Sequence, residues 1–83
     1  MTLGDYLRTC RTAAGLSQRE VETRCPHGCG ITQAALSRWE RNVFAPSTAQ
    51  LGILAMAIEG LSVERAARVG ATGEIARLQG KAA

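Results

Sequence analysis

The sequence predicts an all-α fold of five short helices, with material for a short sixth near its end. Apolar residues recur at spacings of three and four, and no stretch alternates apolar with polar residues for long. Alanine and leucine are plentiful while β-branched residues are few. Gly, Pro, Ser and Thr stand between the periodic segments, where helices stop and start. A chain of 83 residues with 46% hydrophobic content holds one modest core, and with Tyr6, Trp39 and Phe44 as its only aromatics that core is aliphatic.

The first helix is marked by Leu3, Tyr6, Leu7, Cys10 and Ala14 at helical spacing, and Gly15 stops it. Ser17 then stands at an N-cap position with Glu20 three residues on, a capping box that opens a second helix running to about Arg24. That helix buries Val21 and brings Cys25 toward the core. Pro26, Gly28 and Gly30 make the next stretch a loop. Thr32 caps a third helix that reaches about Arg41, with Asn42 as a left-handed stop. Pro46-Ser47 opens a fourth, from Thr48 to about Glu59, which Gly60 ends. Ser62 caps a fifth, Val63 to Val69, closed by Gly70. Residues 1–70 thus form the domain, and residues 71–83 a tail in which Ile75 and Leu78, three apart, can form one more helix.

Net charge is +3, which suits a polyanionic partner but matters only if the charge gathers on one face. The longest strongly apolar run, Leu51 to Ile58, is far short of the roughly 18 residues a membrane span needs. The N-terminus lacks the basic-then-apolar order of a signal peptide. Three cysteines argue against a complete disulfide framework and for a reducing compartment, so the expected location is the cytoplasm, with no membrane partner. An enzyme is not expected: the single His27 lies in a Gly-rich loop, and no nucleophile, base and orienting group can be assembled from the spacing.

The third helix has two unlike faces. Leu36 and Trp39, with Ala35 and the preceding Ile31, are placed to face a core. Gln33, Ala34, Ser37, Arg38 and Arg41 share the opposite side, which is polar at its start and basic at its end. Gln and Arg side chains form paired hydrogen bonds with adenine and guanine edges respectively, and an alanine can touch a thymine methyl. A helix face that merely meets water usually mixes both signs of charge; here the one acid, Glu40, falls on the flank.

Around this helix stand Gly15-Leu16-Ser17-Gln18, the run Ile31-Thr32-Gln33-Ala34-Ala35-Leu36-Ser37-Arg38-Trp39-Glu40-Arg41, and Pro46-Ser47. Together they resemble the lambda-repressor and Cro-like (XRE-type) helix-turn-helix family over about residues 3–69. The resemblance implies a five-helix domain that binds double-stranded DNA in the major groove. It implies base reading by Gln33, Ala34, Ser37 and Arg38. It implies backbone contacts by Gln18, which also supports the recognition helix, by Thr32 at the helix start, and by Arg41 and Asn42 just beyond its end. It further implies an ion pair between Arg11 and Glu40 that ties helix one to helix three and touches no base.

The chain departs from that pattern between helices two and three, where Cys25-Pro26-His27-Gly28-Cys29-Gly30-Ile31 makes the connection about four residues longer than is usual, at small cost in closure entropy. Cys25, His27 and Cys29, with Cys10, are residue types that zinc accepts. Cys10 and Cys25 also sit where the periodicity wants small apolar residues. A plain loop without cofactor is the expectation, with zinc and a thiol switch as the alternatives. Asp5, Glu20 and Glu22 are expected to be solvated, Glu20 also serving its cap. Phe44 is expected to cover the core, and Arg65, Arg68 and Arg77 to solubilise the last helices.

Helix four carries a core stripe of Leu51, Leu54, Ala55 and Ile58 and a second apolar stripe of Ala49, Gly52, Ile53, Met56 and Gly60. A helix apolar on both sides must be buried on both. Either the tail around Ile75 and Leu78 folds over that stripe or another subunit does; the expectation is a dimer interface of Ile53 and Met56 with Ile75 and Leu78. The functional expectation is a transcriptional regulator, a repressor that occupies a palindromic operator as a homodimer. The alternative is a helical protein-interaction module, antitoxin-like, that holds a protein partner instead.

Overall fold

The computed structural model describes residues 1–70. Helix α1 spans Leu3–Ala13, α2 Gln18–Arg24, α3 Gln33–Glu40 and α4 Thr48–Ala57. A fifth helix, α5, covers residues 63–70, and no strand occurs among the described residues. The all-α, five-helix expectation holds. The segment expected to form a sixth helix, with Ile75, Arg77 and Leu78, lies outside the described residues.

Each helix begins on a hydroxyl. Thr2, Ser17 and Ser47 form reciprocal capping boxes with Asp5, Glu20 and Gln50, while Thr32 accepts from the Ala35 amide and Ser62 from the Arg65 amide. The box at Ser17 is the one read from the residues above, and Ser47 with Gln50 fits the same spacing. Asp5, expected to be solvated, is the partner in another.

The core is aliphatic, as composition requires. Leu7, Val21, Leu36, Leu54 and Ile58 are its largest fully buried side chains, and Trp39 and Tyr6 flank them. Helix α3 packs against α1 and α2, and α2 also meets α4. Two polar links fasten the periphery: the Tyr6 hydroxyl accepts from the Ser62 amide at 3.0 Å, joining α1 to the start of α5. Arg24 donates to the Ala57 carbonyl at 3.3 Å, placing a cation at the C-terminal end of α4.

One helix end differs from expectation and another agrees with it. Helix α4 stops at Ala57 rather than near Glu59, because Ile58 turns to extended backbone (φ −113°, ψ 110°) and points into the core, 1% exposed. Helix α3 stops at Glu40, and Asn42 takes the left-handed conformation at φ 61°. The second stripe of α4 is not a free face. Ile53 is half-buried and packs against the core, Gly60 lies beyond the helix, and Met56 alone of the larger side chains stands in solvent, 90% exposed.

A candidate nucleic-acid interface

Helix α3 is amphipathic in the simplest sense. Ile31, Leu36 and Trp39 are buried on one side, and Gln33, Ala34, Arg38 and Arg41 are exposed on the other, with Ser37 half-buried between them. Among the described residues the side chains of Gln33 and Arg38 have no hydrogen-bond partner in the protein, and their donors and acceptors face outward. Arg41 folds back so that its Nε donates to the Ser37 carbonyl at 3.2 Å. The remaining guanidinium hydrogens stay outside.

The helix is held from behind by its own last residue. Glu40 is 3% exposed and its carboxylate is the hub of three elements. Arg11 donates through Nε to Oε2 at 2.7 Å and through Nη2 to Oε1 at 2.9 Å, a bidentate pair. The third guanidinium nitrogen donates to the Leu16 carbonyl at 2.8 Å. Gln18 donates to Oε1 at 3.3 Å and Arg8 at 3.5 Å. Burial alone would push the Glu40 carboxyl up. The hydrogen bonds from Arg11 and Gln18, the Arg11 charge and the Arg8 hydrogen bond together outweigh it and hold the carboxyl below the usual carboxylate value. The same pairing raises the Arg11 pKa. The structure thus brings together Arg11, Glu40 and Gln18, and Glu40 lies in the interior rather than on the flank.

Beyond α3, the side chain of Asn42 is turned toward α1. Its Oδ1 accepts from the Gly4 amide at 3.0 Å and its Nδ2 donates to Thr2 Oγ1 at 3.0 Å. This bridge needs Gly4. A Cβ there would lie 2.6 Å from the backbone carbonyl oxygens of Trp39 and Glu40. The next residues, Val43 and Phe44, are 56% and 63% exposed. Phe44 therefore does not cover the core, whereas Pro46, two residues on, is buried.

The long connection between α2 and α3 is tied at both ends. Glu22, near the end of α2, accepts through Oε1 from the Gln33 amide, the first N–H of α3. Gln50 of α4 donates to the Cys29 carbonyl at 3.2 Å. Gly30, at φ 83°, admits that contact, since a Cβ would stand 2.8 Å from the Gln50 amide nitrogen. Cys25 is buried and Cys29 half-buried against the same core, whereas His27 is exposed. Among the described residues no three His, Cys, Asp or Glu side chains are grouped to hold a metal ion, so Cys10, Cys25, His27 and Cys29 are not assembled as ligands. Glu22, Asn42 and Gln50 owe these contacts to partners distant in sequence, which no local spacing reveals. Glu22 is exposed, as expected of a solvated acid, and in addition holds the start of α3.

A family model described as helix-turn-helix matches residues 7–65. The chain belongs to the helix-turn-helix family. The match runs from the middle of α1 to the first turn of α5 and includes the Glu40 hub and the whole of α3, the segments that carry the XRE and lambda-repressor-like character. The protein is a DNA-binding regulator of that kind. Neither a curated protein nor a solved structure matches the chain. No helix among the described residues is long and apolar enough to cross a membrane.

Proposed function

We propose that this helix-turn-helix protein is a cytoplasmic repressor that works without a cofactor and occupies a palindromic operator as a homodimer. The observation that carries the reading is the division of α3: an outer face of exposed Gln33, Ala34 and Arg38 with half-buried Ser37, backed by a buried face whose last residue is anchored to α1 and α2. A rigidly seated helix that presents unpaired Gln and Arg groups matches what major-groove reading requires.

In this reading Arg38 bonds a guanine edge, Gln33 an adenine edge, and Ala34 and Ser37 fill the remaining contacts. Phosphates are held by Arg41, by the Thr32 hydroxyl hydrogen left over after capping, and by the amide hydrogens of Gln18 and Asn42 that their internal partners do not use. One helix-turn-helix domain has a small footprint, so tight specific binding comes from two domains on two half-sites. Repression follows from exclusion of other proteins from the occupied operator.

Selection of duplexes from a random pool, followed by titration of the enriched site over a range of salt, tests this. A two-fold-symmetric motif, bound with a steep salt dependence, is expected. Absence of any enriched motif would instead favour the protein-partner reading, for which Met56, Val43 and Phe44 are exposed apolar contacts.

A further inference from the structure

Glu22 is an exposed acid placed at the entrance of a helix whose outer face is otherwise neutral or basic. One of its carboxylate oxygens accepts from the Gln33 amide, so the group is fixed on the first turn of α3. It also complements the positive end of the helix dipole. Its other oxygen has no partner among the described residues. The neighbours on that turn are Gln33 and Ala34, both exposed. A carboxylate so close to a polyanion lowers affinity for DNA in general, so its fixed place beside the base-reading turn serves discrimination rather than attraction.

We propose that Glu22 is a specificity-determining residue, which accepts a hydrogen bond from a base amino group, cytosine N4 or adenine N6, at the operator position next to the one read by Gln33. The inference rests on α3 being the base-reading helix. Every other polar reader on this face can donate; Glu22 only accepts. It therefore favours a pair that presents an amino group on the contacted strand and rejects one that presents a carbonyl there.

Random-pool selection with wild type, Glu22→Gln, Glu22→Ala and Gln33→Ala decides the matter, with thermal unfolding measured alongside. Glutamine keeps an oxygen for the Gln33 amide and turns an amino group outward. Its preferred base at one position should change from cytosine or adenine to guanine or thymine, by on the order of tenfold in relative enrichment. Glu22→Ala should lose preference at that position and keep the rest of the motif. If wild type enriches a motif and Gln33→Ala alters it, while Glu22→Gln selects the wild-type bases everywhere, the proposal is overturned, whatever Glu22→Ala does and however stability changes. If wild type enriches nothing, the base-reading assignment of α3 fails first and the role of Glu22 with it.

Discussion

Arg11 and Glu40 form a bidentate ion pair between the end of α1 and the end of α3, with the arginine side chain 13% and the glutamate side chain 2% exposed. Such a pair is weak evidence of net stabilisation, but removal of one member leaves a buried charge uncompensated. Arg11→Ala should therefore cost about 3–5 kcal/mol. Its DNA binding should fall only as far as unfolding requires. Chemical denaturation and salt-matched titration of the folded fraction measure the two separately.

The pair also sets a limit in acid. Glu40 is held below its usual value in the folded chain, so the unfolded chain binds its proton first as pH falls. The stability it contributes is complete above the ordinary carboxylate range and is lost as pH drops through the lower folded value. Asp5 and Glu20, whose carboxyls are lowered chiefly by backbone hydrogen bonds at Thr2 and Ser17, add to the same limb. Glu40→Gln should be less stable than wild type at neutral pH and show a shallower loss toward pH 3, as followed by melting temperature against pH.

Gly4 is predicted to tolerate no side chain. Gly4→Ala places a Cβ against two backbone carbonyls that cannot rotate away, so α1 must lift from α3 and break the bond to Asn42. A loss of about 1–3 kcal/mol is expected. Gly52→Ala is the matched control: nothing lies within 4 Å of its Cβ, and an alanine inside α4 should raise stability by about 0.5–1 kcal/mol.

Arg38→Ala should weaken binding to the selected operator by about 1–3 kcal/mol and relax the choice of base at one position in each half-site. Gln33→Ala should act likewise at a neighbouring position. Arg41→Ala should weaken binding to all duplexes alike and reduce the salt slope by about one. Unaltered base preference in both Arg38→Ala and Gln33→Ala would remove the recognition face from α3.

The inward side of α3 was legible in the chain, because Leu36 and Trp39 at helical spacing leave little choice of face. The burial of Glu40 was not: a carboxylate there reads as a flank residue until Arg11, far away in sequence, is known to face it, and only the family resemblance paired the two. Asn42 shows a different limit. Its left-handed turn follows from residue type, but the use of its amide on Gly4 depends on how closely α1 approaches α3. Glu22 and Gln33 face each other across residues 25–32, where glycines at positive φ reverse the chain and no periodicity survives.

The same loop supports a prediction about its thiols. Burial, and to a lesser degree the nearby Cys29, pushes the Cys25 thiol up. The contribution of Cys25 to stability is present below the ordinary thiol value and is lost as pH rises through the folded one. In native protein at neutral pH, alkylation should spare Cys25 relative to half-buried Cys29, and denaturant should abolish the difference. Elemental analysis of protein purified without added metal should show zinc well below one per chain.

The proposed dimer places its test on Met56. This side chain is 90% exposed near the end of α4, while Ile53, one turn earlier, is already half committed to the core. The two are therefore separable. Met56→Glu inserts a charge where the monomer has only water, so folding should be unaffected, whereas Ile53→Glu should also destabilise the subunit. If α4 joins two copies, Met56→Glu should sediment as a monomer at tens of micromolar with unchanged helical content. Its affinity for a full operator should fall toward that for one half-site, because the gain from linking two binding events is gone. Wild type that is monomeric at the same concentration and binds full and half operators equally would place no partner on this face.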